Sequence, residues 1–264
     1  MLVKQVDTDI IRDKLINPKI QTGSSSVARR TLHNISMLLN FAVELNMIEY
    51  NPASKIRSST VYRDKPRNRH LSLDEIKVFF ELLYNARIKS QHKFAVHLLL
   101  ILLTRKTELL HATWDQVDFV NKTFTIKESK MGTRLRIPLS WQAVNIFEKL
   151  KYLSQDSQFI FVSKNGITKP ISENTLNWLL RLFNIKMFGG NVKDYFTVHD
   201  LRRTGATILV DRGYSFDWIE VALNHRKGGI KDTYNLNQII KQRTGMMQEL
   251  ADSIDALIEP ELLK

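Results

Sequence analysis

The stretch FAVHLLLILLTRKTE, Phe94 to Glu108, decides the fold. Its apolar part, Phe94 to Leu103, is about ten residues long and contains His97, whereas a bilayer span needs roughly twenty. It therefore reads as a helix buried in a protein core. An arginine at the end of such a helix is costly to leave unpaired, so Arg105 requires an anionic partner. Glu108, three residues on, offers an internal salt bridge.

Downstream the period changes. Thr123-Phe124-Thr125-Ile126 alternates, as does Arg134-Leu135-Arg136-Ile137, and Met131-Gly132-Thr133 lies between them, which predicts a β-hairpin. From Ser140 the pattern is helical again, over Trp141–Tyr152, Glu173–Phe183, His199–Arg212, Phe216–Leu223 and Asn237–Ile258, with Gly213 where a helix should stop. Upstream, Ser72-Leu73-Asp74-Glu75 is a capping-box pattern ahead of a helix reaching Leu83. Further back, Ser24 to Ser26 precede a helical stripe of Leu32, Ile35, Leu39, Ala42 and Val43, with Arg29, Arg30 and His33 off it. That helix should stop before Asn51-Pro52. The fold class expected is mainly α with a small antiparallel sheet.

Between Ser54 and His70 the chain is polar, and Lys55, Arg57, Arg63, Lys65, Arg67 and Arg69 face the single acid Asp64. This run reads either as a solvated linker or as one that tracks a polyanion. The organisation expected is a helical N-terminal domain over 1–58, a basic linker over 59–70 and a second domain over 71–264.

The 264 residues, 43% of them hydrophobic, supply ample core material, so wholesale disorder is excluded. A net charge of +12 attracts polyanions, and with no membrane-spanning run DNA or RNA becomes the leading partner. The absence of cysteine excludes disulfides, thiolate zinc sites and cysteine nucleophiles, and fits a reducing cytosol. Met1 to Asp13 has no signal-peptide core, so a cytoplasmic location is expected.

Besides Arg105, three segments could carry chemistry. Lys130 sits at the hairpin tip, where lysine is ordinarily solvent-exposed decoration. His199-Asp200-Leu201-Arg202-Arg203 places His199 and Arg202 on one helix face, able to reach one phosphate together. His225-Arg226-Lys227-Gly228-Gly229 permits a tight turn, and Tyr234 follows nine residues after His225. Each alone is weak.

Their order is not. Arginine, hairpin lysine, His-x-x-Arg, histidine, then tyrosine resembles the active-site order of the tyrosine recombinase (phage integrase) family. The resemblance extends over about 71–264, through Trp114, Asp118, Ile137-Pro138-Leu139 and Met246-Met247-Gln248, while Ala42 and Asn51-Pro52-Ala53 resemble the end of that family's core-binding domain. It implies a DNA breaking-rejoining catalytic domain bearing a three-stranded sheet. By position, Arg105 and Arg202 resemble the arginines that clamp the scissile phosphate, Lys130 the hairpin lysine, His199 and His225 the accessory histidines, Tyr234 the nucleophile and Glu108 the carboxylate that buttresses the first arginine. Two glycines common in the family are replaced here, one near Leu103-Thr104 and one by Asn224, which tolerates left-handed geometry.

The chemistry suits these residues. Two arginines neutralise the non-bridging oxygens without a metal, histidines move protons, and a lysine protonates the departing sugar oxygen. The phosphotyrosyl bond retains the energy of the phosphodiester, so no cofactor is expected. Neither a Walker-type phosphate loop nor an acidic metal-binding cluster is found in the sequence. The resemblance also implies double-stranded DNA attachment sites as substrate, a 3′-phosphotyrosyl intermediate, a homotetramer on paired sites, and accessory DNA-bending or excisionase proteins. Arg29, Arg30, Arg63, Lys65, Arg67, Arg69 and Arg203 are further candidate DNA contacts. The helix over 237–258, with apolar Ile239, Ile240, Met246, Met247 and Leu250, is expected to dock on a neighbouring protomer. A type IB topoisomerase shares the chemistry, and a DNA-binding relative without catalysis is a further reading. The long helix after Tyr234 and the core-binding segment favour the recombinase, and the complete residue set argues against an inactive relative.

Overall fold

The computed structural model describes residues 2–62, 68–127, 134–224 and 236–263. It divides into two compact units, Met1–Asn68 and Arg69–Lys264. Both are mainly helical, and the second carries small antiparallel sheets, the fold class that the sequence predicts.

In the first unit α1 (Thr8–Ile10) passes through a π-helical stretch, Ile11–Ile16, into α2 (Asn17–Gln21), followed by α3 (Ser25–Glu44) and α4 (Ser58–Val61). Leu32, Leu39 and Ala42 of the expected stripe are buried, and Leu32 and Leu39 make the core of this unit with Ile11, Ile16, Ala28, Ala53 and Val61. Ser24 occupies the N-cap of α3, yet its side chain makes no capping hydrogen bond. Asn51 ties the chain back to that helix: its amide nitrogen donates to Asn40 Oδ1 at 2.7 Å, and its Oδ1 accepts from the Ala53 amide at 2.8 Å. Pro52 then opens a 3-10 turn, where its missing N–H costs nothing.

The second unit opens with α5 (Leu73–Asn85). Its capping box is formed as expected, with the Ser72 amide donating to Glu75 at 2.8 Å and the Glu75 amide to Ser72 Oγ at 3.2 Å. The apolar run becomes α6 (Ser90–Leu102), buried from Ala95 to Leu102 and packed by α8 (Trp141–Ser154), α10 (Val198–Asp211) and α12 (Leu236–Asp255). No described helix is long and apolar enough to cross a membrane. After α7 (Lys106–Leu110) come β1 (Val117–Asp118), β2 (Thr123–Ile126) and β3 (Leu135–Pro138), an antiparallel sheet in the order β1-β2-β3. The register pairs Phe124 with Ile137 and Ile126 with Leu135, so the alternation read from the sequence puts these four on the buried face.

A second ribbon, β4 (Val162–Ser163) with β5 (Gly166–Pro170), is not foreshadowed in the sequence. It is short, irregular in register and mostly exposed, so it leaves no period-2 hydrophobic signal. The remaining elements are α9 (Asn174–Phe188), α11 (Phe216–Ala222) and α13 (Pro260–Leu263). Gly213, just past α10, takes the left-handed conformation at φ +81°, as its place in the sequence requires.

The final long helix finds cover within its own unit for three of its five apolar residues named above. Met246, Met247 and Leu250 are buried in the core of their own unit, together with Ala251 and Ile254. These side chains already have the surface that they need, so their apolarity gives no reason for α12 to dock on a neighbour.

α10 meets α6 at Gly205. A Cβ there would lie 2.6 Å from Leu103 Cδ2 and 2.7 Å from the Leu100 carbonyl oxygen. The second atom is backbone and cannot turn aside. Gly205→Ala should therefore force the helices apart and destabilise the protein by about 1–3 kcal/mol. At this chain length that lowers the melting temperature by about 2–4 °C per kcal/mol. An unchanged urea midpoint in the variant would refute the close approach.

Candidate active site

At the end of α6 the chain turns through Leu103, which adopts φ 55° in the left-handed region. This is the neighbourhood where the resembling family often has glycine. The strain of a leucine there is of order 1–2 kcal/mol, offset by the complete burial of its side chain. The turn delivers Arg105 to the start of α7.

Glu108 then binds Arg105 twice, accepting from its backbone N–H at 2.8 Å and from Nη1 at 2.7 Å. The internal salt bridge read from the sequence is present. The same carboxylate faces a second cation: Arg202 Nη1 lies 4.0 Å from Glu108 Oε2. Arg202 is one turn into α10, buried, and also donates to the carbonyl of Leu223. Arg105 Nη2 reaches the next carbonyl, Asn224, at 3.5 Å. Asn224 has φ 48°, so it fills the left-handed position that glycine often holds.

Burial first, then the nearby Arg105, pushes the Arg202 pKa down to about 10, while Glu108 and Glu220 act the other way. Arg202 stays charged at neutral pH. Two guanidiniums around one carboxylate leave a local excess of positive charge, which suits an incoming anion with two oxygens to be held.

His199 lies exposed on the first turn of α10. That turn is fixed by buried Asp200, which accepts from the Thr197 amide at 2.8 Å and from Arg203 Nη1 at 2.8 Å. Arg203, a candidate DNA contact, thus already has a partner. A cavity of about 320 Å³ opens beside Arg105 and Glu108, lined also by Thr107, His111, Gln116 and Lys127. Sequence reasoning missed the last three; the only signal was their closeness to Arg105 and to the hairpin.

Arg69, a candidate DNA contact by sequence, is engaged elsewhere. Its Nη1 and Nη2 donate to Glu75 at 2.9 and 2.7 Å, its Nε donates to the Asp194 carbonyl at 3.0 Å, and it stacks 5.5 Å from the Phe188 ring centroid. Those donors are taken within the second unit. In the first unit Arg29 and Arg30 line a groove of about 620 Å³ with Ser26, His33, Ser58 and Tyr62. Lys130, His225 and Tyr234 lie outside the described residues, as do Arg63, Lys65 and Arg67.

Tyr214 follows α10 in the chain. Its hydroxyl donates to Glu249 at 2.5 Å, and that bond, burial and the Glu249 charge push its pKa up to about 12. A phenolate there is disfavoured, so Tyr214 is a poor nucleophile.

Residues 69–239 match the phage integrase family. Prophage integrase IntZ of Escherichia coli strain K12 is 30% identical over 247 residues, covering 92% of this chain and 59% of that protein. The chain thus spans about three fifths of the length of this relative. Among solved structures, the Tn1549 transposon integrase (residues 82–397) in complex with circular intermediate DNA superposes with a TM-score of 0.66 at 16% identity, covering 91% of this chain and 82% of that one. A lambda integrase(75–356) dimer bound to a COC′ core site gives 0.65 at 19% identity, covering 92% and 81%.

The shared carboxylate can be tested without any substrate. Breaking a buried ion pair by removing one partner costs about 3–5 kcal/mol, so Glu108→Gln should lower the melting temperature clearly. Sulfate should then recover more of that loss in the variant than it adds to the wild type, because an anion can replace the missing charge. Thermal melts in sulfate and in chloride at matched ionic strength decide it; a variant that melts like the wild type removes Glu108 from this role.

Proposed function

This chain belongs to the phage integrase family, and from that premise we propose that it is a site-specific DNA recombinase that cleaves and rejoins DNA through a 3′-phosphotyrosyl intermediate, for integration or excision of a mobile element. The observation that carries the reading is the Arg105–Glu108–Arg202 cluster, in which residues far apart in sequence converge on one carboxylate. In this reading the second unit, Arg69–Lys264, is the catalytic domain and the first, Met1–Asn68, the core-DNA-binding domain, so the basic stretch over 59–70 is shared between them.

The Tyr234 hydroxyl attacks the scissile phosphorus and loses its proton, a step that His225 assists. Arg105 and Arg202 hold the non-bridging oxygens as negative charge develops on them, with His199 donating to the same group. The bond to the 5′ oxygen breaks, and Lys130 supplies the proton that turns it into a free hydroxyl. Attack by a 5′ hydroxyl on the phosphotyrosine reverses the sequence and releases Tyr234. Glu108 touches no reacting atom; it fixes the spacing of the arginines. The substrate is a pair of double-stranded attachment sites held by a homotetramer, with accessory DNA-bending or excisionase proteins choosing the direction. The burial of Arg202 supports this assignment, since a desolvated guanidinium interacts more strongly with phosphate than an exposed one.

Incubation with labelled attachment-site DNA should give a denaturant-resistant protein–DNA adduct. Tyr234→Phe is expected to abolish it while leaving DNA affinity nearly intact, and Tyr214→Phe to retain it. Adduct formation by the Tyr234 variant would move the nucleophile elsewhere.

The groove of the first unit makes a separate prediction. If Arg29 and Arg30 bind phosphates, converting both to Ala should flatten the log–log salt dependence of DNA binding by about 0.9 for each phosphate no longer neutralised. An unchanged slope would leave the groove out of the DNA interface.

A further inference from the structure

Arg243 on α12 is the largest fully buried side chain among the described residues, 1% exposed. Its Nη2 donates to the main-chain carbonyl of Arg136 at 2.7 Å, while its Nε has no hydrogen-bond partner. Among the described residues no carboxylate pairs with it, and burial alone pushes its pKa down to about 10. A buried cation without a counter-charge is an expensive way to fill space. Met246 and Met247 show that the same helix fills its neighbouring core positions with apolar side chains. What a guanidinium adds is a directional bond to backbone.

Arg136 belongs to β3, the outer strand of its sheet, whose open edge needs donors. The contact continues along α12. Gln248 accepts from the Trp141 amide at 3.1 Å and donates to Gln142 at 2.9 Å, and Gln142 donates to Asp252 at 2.6 Å. α12 is therefore stitched along residues 136–142. In sequence, β3 is the first described strand after Lys130, and α12 begins two residues after Tyr234.

We propose that Arg243 is a positioning residue, which sets the register between β3 and α12 and thereby the placement of the hairpin lysine relative to the nucleophile. The inference rests on the roles given above to Lys130 and Tyr234.

A leaving-group substitution tests it in this chain. Sulfur in place of the bridging 5′ oxygen departs as a thiol of pKa near 8.5, whereas water, a rough stand-in for the alcohol, has a pKa near 15.7, so the need for a placed acid largely vanishes. In single-turnover cleavage Arg243→Met should be slower than the wild type on ordinary DNA by about 10- to 100-fold, the range expected for a misplacement near 1 Å. On the sulfur-bridged substrate it should recover most of that loss, with DNA affinity unchanged. Arg243→Lys, which keeps one donor for the Arg136 carbonyl, should fall between. Melting curves and circular dichroism of both variants accompany the rates. Wild-type rates on ordinary DNA, equal losses on both substrates, or unfolding of both variants would overturn the proposal; the last would assign Arg243 to stability alone, and equal losses by a folded variant to a step other than leaving-group protonation. A wild-type chain that forms no adduct with either substrate would overturn the recombinase reading itself, and this inference with it.

Discussion

Arg105 and Arg202 carry like charge, and the second unit brings them onto the same carboxylate, Glu108. Left alone the two would repel, and Arg202 would face a desolvation cost as well. Much of the local architecture serves this meeting. The buried α6 aims its C-terminal end at the site, the turn at Leu103 swings Arg105 round, and the absence of a side chain at Gly205 lets α10 approach closely enough for Arg202 to arrive. Carbonyls at Leu223 and Asn224 each take one guanidinium donor, from Arg202 and Arg105 respectively. Among the described residues a single carboxylate, Glu108, lies within ion-pair distance of both guanidiniums, which leaves positive charge in excess between them.

Much of this was legible in the residues because the controlling signals are local. The run from Phe94 to Leu103 has only one way to be satisfied at its length, as core. Ser72 and Glu75 define a helix start through contacts three residues apart, and the hairpin strands alternate cleanly. The Arg105–Glu108 pair was readable for the same reason. Arg202 joining that carboxylate was not: 94 residues separate Arg202 from Glu108, and only the family pattern suggested a common site. Arg69 shows the converse failure. In a basic run it looks like a solvent-facing contact, yet the partners that capture it, Glu75, Asp194 and Phe188, are chosen by tertiary packing.

α12 illustrates a different limit. An amphipathic pattern says that a face will be covered and says nothing of what covers it. Met246, Met247 and Leu250 are covered by the unit's own core, and the helix is held laterally by polar bonds to β3 and the start of α8. The ribbon of β4 and β5 marks the limit in size, since two- and five-residue strands on an exposed surface impose almost no pattern. The first unit gave its stripe readily, but the π-helical stretch at Ile11–Ile16 has no signature in residue type.

The left-handed turns at Leu103 and Asn224 bracket the arginine pair, and neither is glycine. A residue with a side chain has fewer accessible backbone conformations than glycine, in the unfolded chain and in any partly opened form. The backbone beside the two guanidiniums is thereby stiffened at Leu103 and at Asn224. An anion held between the guanidiniums would meet charges already oriented by Glu108 and by two main-chain carbonyls, with little reorganisation left to make. The same stiffness would narrow the repertoire: a pair of cations held at a fixed spacing adapts poorly to anions of another shape.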